Sequence, residues 1–164
     1  MQPAQSAKTY LVLLSTALPV IVFDQITKVW AANSLQYGEA KTVISGFFNI
    51  VHARNPGVAF SLLADFDGRL VRPILIIVTI LAIGALLYAV RIMSGKLPGL
   101  LGIGLVVGGA VGNLIDRARL GYVIDFLDIY LGRFHWPAFN VADIGITVGI
   151  FLIAMDMLLE NKHA

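Results

Sequence analysis

Four stretches of this chain, residues 11–32, 73–90, 97–115 and 138–159, are long and apolar enough to cross a lipid bilayer. A bilayer core takes about 20 apolar residues of helix. Inside it, every backbone N–H and C=O must be satisfied by the chain itself, which restricts a spanning segment to a helix or a closed barrel. The expected fold is an α-helical polytopic membrane protein of four transmembrane helices, a single membrane domain over residues 1–164, with connections at 33–72 and 116–137. Composition agrees: charged residues are 13% of the chain, about half the share of a soluble domain, and the mean hydropathy is +0.83.

The first apolar run has features of a cleaved secretory leader, since Lys8 precedes residues 11–23 and Val29, Trp30 and Ala31 loosely resemble a cleavage site. Asp24, Gln25 and Lys28 stand where a cleavage region needs small neutral side chains, and three more apolar segments follow, so an uncleaved span is expected. There is no cysteine, which excludes disulfides, thiolate nucleophiles and thiolate metal sites. His52, His135 and His163 are scattered outside the spans with no metal-ligand spacing; neither a metal nor another cofactor is expected. A net charge of +2 with dispersed basic residues argues against nucleic acid as a partner. With four spans, both termini share one side with Lys8, Arg91, Lys96 and Lys162; opposite lie Lys41, Arg54, Arg69, Arg72, Arg117, Arg119 and Arg133. Taken literally, the positive-inside bias puts the long connections in the cytoplasm. Arginines held for chemistry inside a folded loop would undo that count.

Polar residues in and beside the spans are few, and therefore informative. The first span contains Pro19, which a membrane helix tolerates. Asp24 and Lys28 are four residues apart on one helix face and can pair near the membrane surface, as a structural ion pair or as part of a site. Residues 42–63 turn β-branched and aromatic, broken by Asn55-Pro56-Gly57; this reads as a small extramembrane hairpin with Gly57 at the positive-φ position of a type II turn. Residues 63–72, with Asp65, Asp67 and Arg69, read as a solvated return to the bilayer. The second span has no ionisable side chain, carries Pro73 at a permitted first-turn position, and reads as scaffold. In the third, Gly104, Gly108 and Gly112 stack on one face, the spacing that lets membrane helices approach closely. Asn113, Asp116 and Arg117 then cluster where that helix leaves the membrane, and Asn113 can bond Arg117 or hold a substrate backbone.

Two further carboxylates carry the chemistry. With Asn140 as N-cap of the fourth helix, Asp143 is the N3 member of a capping-box-like pair, a structural role worth about 1 kcal/mol. Asp125 lies among Val123, Ile124, Phe126 and Leu127, a setting that desolvates a carboxyl and raises its pKa. Asp128 is the alternative partner; in a helix turn it would point away from Asp125. Two carboxylates in unlike settings can share one proton and activate water for amide hydrolysis, with Asp143, beside a positive helix end, as the ionised member and Asp125 as the protonated one. Ser61 has no evident base, and neither a G-x-S-x-G nor a P-loop pattern occurs. A carboxylate-only Mg²⁺ site lacks dense acidic spacing. A small transporter or channel subunit, with Asp24, Asp125 and Asp143 as a proton path, is the competing class.

Five segments together resemble the bacterial lipoprotein signal peptidases, or signal peptidase II: "FDQITK" (23–28), "RNPGVAFS" (54–61), "GGAVGNLIDR" (108–117), "VIDF" (123–126) and "FNVAD" (139–143). The resemblance covers nearly the whole chain. It implies an intramembrane aspartic endopeptidase of the cell inner membrane that cleaves prolipoproteins on the amino side of a diacylglyceryl-modified cysteine, with Asp125 and Asp143 as catalytic pair. It also implies that Asn55, Gly57, Asn113, Arg117 and Asn140 line or support the substrate site, with Asp24 and Lys28 at motif positions of less defined role. The implied partners are lipidated prolipoprotein and membrane lipid, the implied state is a monomer, and both termini would be cytoplasmic with the site at the outer leaflet. That orientation opposes the literal Lys/Arg count, several of those arginines falling inside family motifs. Ile144, where the family often has Ser, and Pro56, at a variable position, are departures that bear on substrate preference only.

Overall fold

The computed structural model describes residues 7–57, 68–92 and 97–160. Each apolar stretch is a helix of membrane-crossing length: α1 (Ala7–Ser34), α2 (Gly68–Ile92), α3 (Leu97–Leu120) and α4 (Val141–Glu160). Hydropathy placed these helices but not all their ends. Helix α3 continues five residues past Ile115, and Asp116, one of the charges that suggested a membrane exit, pairs with Lys28 inside the protein. Helix α2 begins at Gly68, so part of the expected solvated return is helical and Pro73 lies inside the helix, beyond its first turn. Ser61, Asp65 and Asp67, and the 58–63 end of the expected hairpin, lie outside the described residues.

Helix α3 is the hub, packing on α1, α2 and α4; among the described elements α2 packs on α3 alone. The glycine face expected on α3 is built as a close approach to α1: a Cβ at Gly104 would sit 2.8 Å from Cβ of Thr16, and one at Gly108 2.8 Å from the Ala17 carbonyl oxygen. A second face meets α4, with Gly102 against Gly149 and Gly109 against Ala142. Close backbone approach of this kind replaces the hydrophobic driving force that lipid cannot supply. The buried face of α1 (Thr9, Leu13, Ala17, Asp24, Lys28, Ala31) recurs every three, four or seven residues. Its opposite face exposes Leu11, Leu14, Leu18 and Phe23. Leu13, Val90, Leu100 and Ile103 form an apolar core at one end of the bundle. The other end is polar.

Both long connections feed one antiparallel sheet, ordered β1-β2-β3-β4, of β1 (Ala40–Ile44), β2 (Phe48–Asn55), β3 (Val123–Leu131) and β4 (Phe134–His135). The expected hairpin exists, but its turn falls at residues 45–47, with Gly46 at φ 79°, rather than at Asn55-Pro56-Gly57. Pro56 ends β2 instead, since proline cannot donate to a ladder. The second connection, 116–137, is more than the plain connection expected from the sequence, in which a helix turn would point Asp128 away from Asp125. It contains strand β3, and the two aspartates face away from each other because neighbours three apart alternate sides.

Candidate active site

The polar end of the bundle is organised around the start of α4. Asn140 Oδ1 accepts the Asp143 N–H at 3.0 Å, and Asp143 Oδ2 accepts the Asn140 N–H at 3.2 Å. This is the reciprocal capping box expected from the sequence. The cap uses one carboxylate oxygen only. Asp143 Oδ1 turns to α3 and accepts Asn113 Nδ2 at 2.8 Å, and Asp143 also borders a cavity of about 310 Å³ walled by Trp136, Phe139, Ile144, Thr147 and Val148.

Asp125 reaches the same place from β3, where it pairs with Ala53 of β2. Its Oδ1 accepts Asn140 Nδ2 at 2.7 Å and its Oδ2 accepts Asn55 Nδ2 at 3.0 Å. Only 3% of Asp125 is exposed. Burial pushes its carboxyl up to about 6, the negative charge of Asp143 adds in the same direction, and the two amide donors oppose it. Asn140, itself fully buried, thus holds both carboxylates at once. Asn55 is fixed in turn by the Gly57 N–H, which donates to its Oδ1 at 2.8 Å. Gly57 has φ 90°, and the Leu75 side chain occupies the space a Cβ would need.

Behind this pair lies a buried ionic layer. Lys28 Nζ is 2.9 Å from Asp24 Oδ2, 3.1 Å from Asp116 Oδ2 and 2.8 Å from Asn113 Oδ1, so its three protons each have a partner. Asp24 Oδ1 accepts the Ala142 N–H at 2.9 Å, which ties α1 to the first turn of α4. Asp116 also accepts the Ile124 N–H at 3.1 Å, anchoring the start of β3. Gln25 Nε2 contacts Asp24, Asp116 and the Gly112 carbonyl.

The residues singled out from the sequence, Asp24, Lys28, Asn55, Gly57, Asn113, Arg117, Asp125, Asn140 and Asp143, therefore gather at one end of the bundle. One contact offered by the sequence is absent. Asn113 does not bond Arg117, because Lys28, Asn140 and Asp143 take both ends of its amide. Arg117 interacts electrostatically with Asp143, Asp125 and Asp116, while its buried Nε has no hydrogen-bond partner among the described residues. Asp128 stays out of the group, bonded to Asn49 at 2.8 Å and to His135 at 2.9 Å. The sequence reading missed Gln25 and the full part played by Asp116; their position inside the "FDQITK" and "GNLIDR" stretches was the available signal.

Fold and site together define a multi-pass membrane protein that presents two hydrogen-bonded carboxylates beside an apolar cavity. A family model described as Signal peptidase (SPase) II matches residues 16–159. The chain belongs to the signal peptidase II family and is a membrane protease. It is 42% identical over 157 residues to the lipoprotein signal peptidase of Syntrophus aciditrophicus (strain SB), covering 95% of this chain and 98% of that one. It is 46% identical over 163 residues to that of Cupriavidus taiwanensis, covering 98% and 90%. A bacterial membrane enzyme solved by the in meso method at 2.3 Å resolution superposes with a TM-score of 0.79 at 33% identity, covering 95% of this chain and 90% of that one.

Proposed function

We propose that this protein is an aspartic endopeptidase that removes signal peptides from prolipoproteins, hydrolysing the bond on the amino side of the diacylglyceryl-modified cysteine, with Asp125 and Asp143 as its catalytic pair. The observation that carries this reading is Asn140, one buried residue that donates to two carboxylates in unlike settings, to Asp143 through its backbone N–H and to Asp125 through its side-chain amide. Asp143, in the first turn of α4, faces the positive end of a helix dipole and is the ionised member. Asp125, raised to about 6 by burial, is the protonated one.

In the reaction, Asp143 takes a proton from water as the oxygen attacks the scissile carbonyl carbon. Asp125 gives its proton to the carbonyl oxygen, leaving a neutral gem-diol. Collapse returns a diol proton to Asp125, the proton on Asp143 passes to the leaving nitrogen, and the C–N bond breaks. Arg117 brings a positive charge close to both carboxylates, and the apolar cavity beside Asp143 suits a lipid-borne chain. The chain works as one membrane domain and as a monomer, with both termini cytoplasmic and the sheet and site at the outer leaflet. The arginines that opposed this orientation have structural employment: Arg54 lies 4.4 Å from the Tyr37 ring and 4.8 Å from the Tyr122 ring, and Arg72 donates to the Ala118 carbonyl at 2.8 Å.

The test is gel-shift cleavage of a diacylglyceryl-modified precursor by purified protein. Asp125→Asn and Asp143→Asn, each shown to be folded, are expected to lose at least about 100-fold in rate. Unchanged cleavage by either would remove that residue from the pair.

A further inference from the structure

Three asparagine amides hold the two carboxylates, and an amide helps a carboxylate only when its nitrogen, not its oxygen, faces it. In each case that choice is imposed from behind by a group that can only donate. The Gly57 N–H holds Asn55 Oδ1 and the Asp143 N–H holds Asn140 Oδ1. For Asn113 the holder is the Lys28 ammonium, 2.8 Å from Oδ1. An ammonium has no lone pair to offer, so the Asn113 atom beside it must be the oxygen. The amide nitrogen is then left to face Asp143 Oδ1, also at 2.8 Å. A flipped amide would set N–H against ammonium and oxygen against carboxylate, repulsive at both ends.

Two of these three holders are backbone groups. Asn140 Nδ2 also reaches Asn113 Oδ1, at 3.2 Å while donating to Asp125 at 2.7 Å, but Lys28 is the one charged holder. It is 1% exposed, on α1, and is not among the residues walling the cavity beside Asp143. Asp24 and Asp116 fix its position. Of the charged groups around the pair, Asp24 and Lys28 from α1 and Asp116 and Arg117 from α3, Lys28 alone bonds to Asn113.

We infer that Lys28 is a positioning residue for the hydrolysis: its buried ammonium sets the amide of Asn113 so that it donates to Asp143. The role rests on the catalytic pair proposed above. Lys28 acts at a distance from substrate, through one amide, on the carboxylate that must stay ionised to accept the proton of water.

The experiment compares Lys28→Met, the charge-balanced pair Asp24→Asn with Lys28→Met, Asn113→Leu, and the combination of Lys28→Met with Asn113→Leu. Thermal unfolding in detergent reports the folded fraction, and kcat and KM for lipidated precursor are followed across pH. Loss of one donor to the ionised carboxylate is expected to lower kcat by tenfold or more and to move the acid limb of its profile upward, since that donor favours the charged form. KM should hold, and the combined variant should be no worse than Asn113→Leu alone, because both changes remove the same donor. An unmoved acid limb in folded Lys28 variants, or losses that multiply, would overturn the inference. So would failure of both Lys28 variants to fold, which would make Lys28 a residue of stability alone. Normal cleavage by the unaltered protein, abolished by Asp143→Asn, keeps the pair itself separate from these outcomes; its absence would sink the pair first.

Discussion

At the scale of the residue, Asn140 carries most of the arrangement: it bonds Asp143 twice and donates to Asp125, and it is fully buried. Asn140→Ala should cost more than the roughly 1 kcal/mol of a lost cap, since buried acceptors lose their donor. Unfolding in detergent measures that loss, and cleavage should fall with it even where the protein stays folded. Asp125 ties stability to pH. Its folded pKa of about 6 lies above the ordinary carboxylate value of 3.8. The stabilisation of its protonated form is therefore full below the unfolded value and disappears as pH rises through about 6. The difference between the unaltered protein and Asp125→Asn should change by about 3 kcal/mol across that window and be flat above it. If Asp125 supplies the proton to the scissile carbonyl, kcat should decline on the basic side at or above that value, because bound substrate only deepens the burial.

At the scale of the element, the glycine face of α3 does more than permit packing. A Cβ at Gly112 would lie 2.6 Å from Asp24 Oδ2, so Gly112→Ala pushes on the carboxylate that holds Lys28 and the first turn of α4. A cost of about 1–3 kcal/mol is expected, the usual penalty for overpacking, together with reduced cleavage; thermal stability and activity of the variant check both. The helices were legible because a long apolar run has few alternatives in a bilayer. Strand β3 was not, because nearly all of Val123 to Asp128 is buried and no polar and apolar alternation marks it. The hairpin turn was misplaced because Pro-Gly is a stronger turn signal than Ser45-Gly46-Phe47, although proline serves here to stop a strand. In the site, Asp125, Asp143 and the capping pair could be read from local sequence. The layer behind them could not, since Lys28 meets Asn113 across 85 positions and Asp24 meets Ala142 across 118.

At the scale of the whole molecule, the Lys28, Asp24 and Asp116 ionic layer lies at one end of the bundle, and that end carries the sheet. The proposed orientation predicts that cysteines placed at exposed Phe134 or Trp136 react with an impermeant thiol reagent added to intact spheroplasts, whereas one at Lys8 does not; the reverse pattern would turn the molecule over. The bond from Ala142 to Asp24 joins α4 to α1, which is synthesised three helices earlier. A nascent chain that has yet to insert α4 lacks Asn140, Asp143 and this bond, and the proposed centre stays unfinished until α4 closes the circuit. On the proposed reading hydrolytic power arrives only with α4, so a ribosome that has yet to make α4 cannot release a half-built protease among its neighbours.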